Sequence, residues 1–584
     1  MPGITGSSSP AAQGRRERLG RLEAALYPAP GMRVARSKAV ADSGFAVSVA
    51  SRLAGAGLAE LPETCLAFEG WLAEPDLPAD ARPGRLLALF RERGPACVEA
   101  LRGSWQMVVH DREAAATWLL ADPVASRRLF YVHDGDELAF APEVAPLAGL
   151  AGAGEVDPAN LVQFLVSGRF FAGETLLSGV RQLLPGEILL HRSGQIERRS
   201  SFRYQVAPAA DIADAVACDL PALADALSAV VERAVLGAFR QVRDPVFLLS
   251  GGYDSRTLFH AVARAVAAPS RLRTALFGQR MDLPGSDNVA ARDLARRFGV
   301  SHLTLPWRAD LLPAQFEEMF AAQSGMTEFV FTHSDELAVF RGLAREHGFG
   351  SVFRGDECFS PRGAEVASAE EGLARISMSH PRRVADLDRW FGGFGDVGGD
   401  GEPWAAAHAA RLERLLAEAP ADPCALRDTL YGRERLPALQ AHHNYHKSHF
   451  VEMVNPLLDV DVLRFWSALP AAWRCDKRLF KEAYHRRYGD PLDPPIATLD
   501  NGIDWPATLR ATPSLAAWVR ERLAALPAPL DRRFFLGQLD RVLSGEKDPA
   551  LVSAVAAGTF RVPPVKLVAR AVVLGEWWRS GLVR

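Results

Sequence analysis

The stretch Pro245-Val246-Phe247-Leu248-Leu249-Ser250-Gly251-Gly252-Tyr253-Asp254-Ser255-Arg256 decides how the chain is read. The apolar run 246–249 predicts a buried parallel strand, and the amphipathic run from Ser255 to about Val266 predicts a helix. A strand that enters a Gly-rich turn and then a helix start is suited to cradle phosphate, because free backbone N–H groups and the positive end of the helix dipole face the turn. Gly251 and Gly252 let the backbone approach an anion, Ser250 and Ser255 can donate to it, and Asp254 can hold a Mg²⁺ that bridges phosphates. A tight strand-to-helix turn in some other α/β protein is the plain alternative.

No Gly-Lys-Ser/Thr follows, so the loop is not of the Walker type. Ser-Gly-Gly-x-Asp-Ser resembles the PP-loop of the ATP pyrophosphatases, which cleave ATP between the α- and β-phosphates.

At 584 residues the chain calls for several domains. Its 48% hydrophobic and 23% charged content is that of a soluble globular protein, and a net charge of -3 gives no reason to expect nucleic acid or a membrane surface as partner. Cys65, Cys97, Cys218, Cys358, Cys424 and Cys475 are scattered without a Cys-x-x-Cys pair, against a disulfide frame or zinc knuckle. No apolar window reaches membrane-span length and no signal peptide is evident, so a cytoplasmic location is expected.

Residues 1–206 alternate short strands with turn signals, at 45–49, 65–72, 105–110, 116–120, 129–133 and 187–191. Helices are expected at 85–93 and 158–166. That predicts an α+β layered domain. Residues 207–221 read as a linker, and 222–584 as a second unit in which strands alternate with helices. The second unit predicts a doubly wound parallel sheet with ligand at the strand C-termini, followed by helices.

Met1-Pro2-Gly3-Ile4-Thr5-Gly6 resembles the Met-Cys-Gly-Ile opening of class II glutamine amidotransferases. Leu119-Leu120-Ala121-Asp122-Pro123, Leu138-Ala139-Phe140-Ala141-Pro142-Glu143 and Leu184-Pro185-Gly186-Glu187 follow in the order of asparagine synthetase B-type proteins. The resemblance implies an N-terminal Ntn-hydrolase-like domain and a PP-loop ATP pyrophosphatase domain. It also marks a departure. The family's nucleophilic cysteine is Pro2 here, and its Asn-Gly-Glu segment reads Phe68-Glu69-Gly70-Trp71. A first domain unable to hydrolyse glutamine is the expectation.

By the same resemblance, Leu248, Ser250, Gly251, Gly252, Asp254, Ser255, Phe277, Gly278 and Lys477 are expected to bind ATP, and Asp254 with Asp356 to hold Mg²⁺ on the leaving pyrophosphate. Lys477 would neutralise phosphate charge, with Lys481 reading as an exposed, locally paired lysine. Val451-Glu452-Met453-Val454-Asn455-Pro456 places Glu452 on the family's catalytic glutamate. The partner tyrosine's place holds Phe353, which leaves Glu452 alone or with Tyr445, His446 or His449 as base. His442-His443-Asn444-Tyr445-His446 offers an i, i+4 histidine pair but no third metal ligand, and reads as an active-site wall.

The implied reaction adenylates a carboxylate with ATP and couples it to an amine. Within the family this points to a lasso-peptide macrolactam cyclase acting on a precursor peptide, alongside a leader peptidase and a leader-binding protein. An ammonia- or small-amine-dependent asparagine or β-lactam synthetase acting on a small carboxylate, and a non-catalytic nucleotide- or peptide-binding scaffold, are the alternatives.

Overall fold

The computed structural model describes residues 2–9, 15–28, 35–40, 44–53, 55–74, 82–150, 154–206, 219–279, 281–356, 359, 366–378, 401–489, 502–546 and 562–583. The first 200 residues build two six-stranded antiparallel sheets. One runs in the order Arg181–Gln182, Phe130–Asp134, Glu137–Ala141, Gly3–Ser8, Phe45–Ser51, Ala35–Val40. The other runs Gln195–Ser200, Glu187–Arg192, Ala116–Ala121, Gly103–Asp111, Thr64–Leu72, Gly57–Glu60.

Side chains alternate across a strand, so each strand serves two layers. Cys65 and Ala67 meet Phe45, Val47 and Phe140 between the sheets. Leu66, Phe68 and Leu72 point the other way, under Leu86, Leu87 and Phe90 of helix Arg82–Arg93. Phe130, Val132 and Ala139 turn outward from the first sheet onto helix Pro158–Ser167. The result is a helix–sheet–sheet–helix layering.

Strand Gly3–Ser8 carries no hydrophobic period, and its Gly6 is required where it lies. It runs between strands Phe45–Ser51 and Glu137–Ala141, and a Cβ on Gly6 would sit 2.4 Å from the Ala46 carbonyl oxygen.

The second half carries a five-stranded parallel sheet in the order Ser301–Pro306, Arg273–Gly278, Pro245–Leu248, Ser351–Phe353, Glu452–Val454. Val246, Val352 and Met453 lie in one register row and enter one core, while Phe247, Phe353 and Val454 enter the core on the opposite face. Burial on both faces explains the unbroken apolar run of the central strand. The strand order reverses direction beside Pro245–Leu248, and a crevice opens at the carboxyl ends of strands at such a switch point.

Helix Tyr253–Ala265 follows, beginning two residues before the expected Ser255. The linker expected over 207–221 also ends sooner. Leu220 and Pro221 already form the first turn of helix Leu220–Phe239, where proline lacks only an N–H that would be unpaired anyway. Residues 207–218 lie outside the described residues.

The halves are not separable layers of packing. The largest core joins Phe130, Phe164 and Leu165 of the first half to Val246, Phe316 and Trp577 of the second. The closing helix Pro564–Arg579 packs on both. Arg570 donates to the Leu165 and Val166 carbonyls at 2.8 Å and pairs with Glu328 at 2.6 Å. Burial alone would raise the Glu328 carboxyl, but Arg570 and Lys566 outweigh it and hold it down at about 2. No described helix is long and apolar enough to cross a membrane.

Candidate active site

The turn after Pro245–Leu248 keeps its own N–H groups satisfied, against the expectation of free donors. Ser250 N–H donates to Ser255 Oγ (3.0 Å), Gly252 N–H to Ser250 Oγ (3.2 Å), and Gly251 N–H to an Asp287 carboxylate oxygen (3.0 Å). Asp287 comes from the first turn of helix Asp287–Phe298 on the neighbouring unit of the sheet. An anionic oxygen therefore already sits where the Gly-rich turn offers a backbone donor, the kind of seat a phosphate oxygen takes. The turn fits a phosphate, but one that displaces Asp287.

Asp254 lies in the first turn of helix Tyr253–Ala265, where the helix dipole favours a carboxylate. Its two oxygens accept from Lys477 Nζ at 2.8 and 3.0 Å. Lys477 reaches it because Asp476 and Lys477 adopt consecutive left-handed conformations (φ 52° and 56°) that break helix Ala471–Arg474 from helix Arg478–Tyr488. Two non-glycine residues in that region cost about 1–3 kcal/mol each. Lys481, by contrast, lies near the surface and pairs with Asp476 at 2.6 Å.

Asp356 stands past the end of strand Ser351–Phe353. Gly355 brings it to the turn, because a Cβ there would lie 2.9 Å from Asp254 Cβ and 3.1 Å from Ser255 N. Asp356 pairs with Arg354 (2.8 Å) and accepts from the Asn444 amide (3.1 Å), and the Asn455 amide lies 3.3 Å away. The two carboxylates expected at a metal thus come from adjacent strand ends, each neutralised by a cation of the chain. Hard oxygen donors with displaceable partners suit Mg²⁺. Gly278 ends its strand with its carbonyl held by Trp307 N–H (2.9 Å), and Phe277 packs on Trp307 and Phe340. Glu357 and Cys358 of the expected segment lie outside the described residues.

Glu452 opens strand Glu452–Val454 in one register row with Ser351 and Pro245, the first residues of their strands, at the end of the sheet opposite the turn. Phe353 lies on the same face but is sealed between Phe239 and Phe247, so it is packing and faces no substrate. The Glu452 carboxylate is engaged by Arg127, which also pairs with Glu69 at 3.0 Å. Burial pushes the Glu452 carboxyl up to about 7, with Arg127 opposing and Glu69 adding to the rise.

Glu452 lines a cavity of about 60 Å³ between the halves, together with Pro2, Glu69, Asn444 and Asn455. Pro2 sits at one wall with its carbonyl accepting from Tyr445 Oη (3.0 Å), and Asn444 and Asn455 lead to Asp356 at the other. Of the other expected base candidates, Tyr445 is tied to Pro2, and Arg128 stacks on its ring at 3.5 Å. His446 faces Glu336.

His442 and His446, the i, i+4 pair, face different neighbours. His442 stacks beside Phe130, while His443 and His446 both meet one oxygen of Glu336, at 3.2 and 3.1 Å. Lys447 Nζ lies 3.1 Å from that same oxygen and so fills the place of a cation. Burial and Arg354 lower the Lys447 ammonium to about 7, against the pull of Glu336.

Sequence reasoning missed Arg127, Glu336, Asn444, Asn455 and Arg354. Arg127 and Glu336 matter through partners far along the chain, whereas Asn444 and Asn455 lie inside segments singled out for other residues and Arg354 pairs with Asp356 two positions on.

Residues 82–203 match the glutamine amidotransferase domain family and residues 226–492 the asparagine synthase family. Comparison with curated proteins gives no match. Among solved structures, similarity is found to a glutamine phosphoribosylpyrophosphate amidotransferase from B. subtilis complexed with ADP and GMP. It has 12% identity and a TM-score of 0.24, over 51% of this chain and 64% of that one. A structure titled as the allosteric regulatory enzyme of purine biosynthesis gives 11% identity and a TM-score of 0.25, over 52% and 80%. The chain therefore spans under two thirds of the first of these, and both likenesses are too weak to bear on the fold. The two family matches, one behind the other on a single chain, support an asparagine synthetase-like family for this protein.

Proposed function

We propose that the chain is an ATP-dependent amide-bond-forming ligase that adenylates a substrate carboxylate and couples it to an amine carried by the same substrate. The observation that carries this reading is the convergence, at one sheet switch point, of the anion seat at Gly251, the Asp254–Lys477 pair and Asp356. Mg²⁺ held by Asp254 and Asp356 would stabilise charge on a leaving pyrophosphate. Ser250, Gly251, Gly252 and Ser255 would grip phosphate oxygens, and Leu248, Phe277 and Gly278 would flank the base. Lys477 would leave Asp254 to meet phosphate charge. Glu452 would receive the proton that the amine loses as the C–N bond forms and the bond to AMP breaks.

Pro2 supports an amine source other than glutamine, because a pyrrolidine carries no nucleophilic side chain. An intramolecular macrolactam on a precursor peptide, as in lasso-peptide cyclases, is the reading that fits a substrate bringing its own amine. A leader peptidase and a leader-binding protein would then be the partners. One observation favours a second reading. The cavity behind Pro2 has room for only a few water-sized groups, so ammonia or a small amine fits it and a peptide does not.

Incubation with ATP, Mg²⁺ and a panel of synthetic peptides tests the first reading. Each peptide has an N-terminal glycine and one aspartate or glutamate at successive positions. Loss of one water from a peptide, with AMP and pyrophosphate released, is expected. Amide formation only from free aspartate and ammonium would transfer the conclusion to the second reading, and no pyrophosphate with any substrate would leave a scaffold.

A further inference from the structure

We propose that Arg127, from the amidotransferase-type half, is a positioning residue for Glu452 in the synthase-type half, so that the first half completes the amide-forming site. The inference rests on the reading of Glu452 as proton acceptor.

Arg127 is buried between two carboxylates. One fork arm meets Glu69 at 3.0 Å, another meets Glu452, and Nε donates to Ser104 Oγ at 3.0 Å. A planar guanidinium can address two carboxylates and a hydroxyl from one fixed position, where a lysine would supply the charge without the fork. The loop that carries it is held on both sides. Asp122 accepts from the backbone of Trp105 (3.1 Å), Val124 (2.9 Å) and Ser126 (3.2 Å). Arg128 is anchored on the carbonyls of Gln323 (2.7 Å) and Ala322 (3.3 Å) in the other half. Arg127 has little freedom to follow a moving partner, so Glu452 is placed by it.

The charged groups facing Glu452 are Arg127, Glu69 on strand Thr64–Leu72, and Arg52 after strand Phe45–Ser51. Two carboxylates thus share the one buried guanidinium of Arg127, while Arg52 is exposed and donates to the His449 carbonyl at 3.2 Å. A buried ion pair adds little stability over apolar packing of the same volume, so stability alone is a weak reason for this one. A proton acceptor must be ionised before the amine attacks, and burial works against that. A fixed cation restores it.

The test follows the Glu452 titration without needing a substrate. Melting temperature is measured against pH for wild type, Arg127→Met and Arg127→Lys, each with and without Glu452→Gln, and the difference within each pair isolates Glu452. Arg127→Met is expected to move that midpoint upward by about one pH unit or more, and Arg127→Lys to restore at least half of the shift. An unmoved midpoint, or equal shifts with Met and Lys, overturns the proposal. If Arg127→Met does not fold, Glu69→Gln removes the negative neighbour and is expected to move the midpoint downward; no movement overturns the proposal equally.

On whichever peptide or small acid reacts, Arg127→Met is expected to cut amide formed per pyrophosphate released at pH 7 at least tenfold. Wild-type amide formation by Glu452→Gln would instead sink the reading of Glu452 as acceptor, and would leave the measured hold of Arg127 on its carboxylate standing.

Discussion

At the residue scale, two lysines four positions apart differ in setting, Lys477 pairing with Asp254 and Lys481 lying near the surface with Asp476. Lys477→Ala is expected to reduce pyrophosphate release by at least about a hundredfold, the order seen when one charge-stabilising donor is removed. Lys481→Ala should change it less than about twofold, and a reversed order would reassign the site. Asp254→Asn and Asp356→Asn should each abolish release with little change in melting temperature; normal turnover in both would remove the metal assignment. The pH dependence of Glu452 has a definite sign. Its folded-state carboxyl titrates near 7, above its ordinary value, so the folded chain binds that proton more tightly than the unfolded one. This favours folding below the unfolded value and is lost as pH rises through about 7. The melting temperature of wild type relative to Glu452→Gln should therefore fall between pH 5 and 8, and a flat difference would contradict the burial described.

At the element scale, Gly355 carries a backbone requirement that no side chain can meet. Gly355→Ala puts a methyl 2.9 Å from Asp254 Cβ, which must push the Asp356 segment off helix Tyr253–Ala265. Pyrophosphate release is expected to drop tenfold or more while the melting temperature moves little, and full activity would show that the two strand ends need not touch. The strand–turn–helix around Ser250 was legible because strand burial, glycine and helix amphipathicity all act over a few residues. Strand Gly3–Ser8 was not, since glycine and serine carry no hydrophobic period and Gly6 answers only to the approach of a neighbouring strand. Arg127 and Glu452, 325 positions apart, are joined only by the folded interface, and no local spacing announces such a pair. The same holds for Glu336, whose meaning lies wholly in His443, His446 and Lys447.

At the scale of the whole molecule, the halves are one packing unit. Arg570→Ala leaves Glu328 buried beside Lys566 alone and frees the Leu165 and Val166 carbonyls. A cost of about 3–5 kcal/mol is expected from breaking a buried pair, read as a lower urea midpoint, and an unchanged midpoint would show the staple to be idle. A protease cut within 207–218 should leave both fragments eluting together on gel filtration. The layered and parallel-sheet architectures were both foreseeable from strand spacing, whereas their fusion through Phe164, Phe316 and Trp577 was not, because each of those residues reads as ordinary core of its own segment. That fusion decides where the molecule breathes. In deuterated solvent the slowest amides to trade their hydrogen should cluster along the seam between the halves, and the outermost strands of each sheet should exchange long before it.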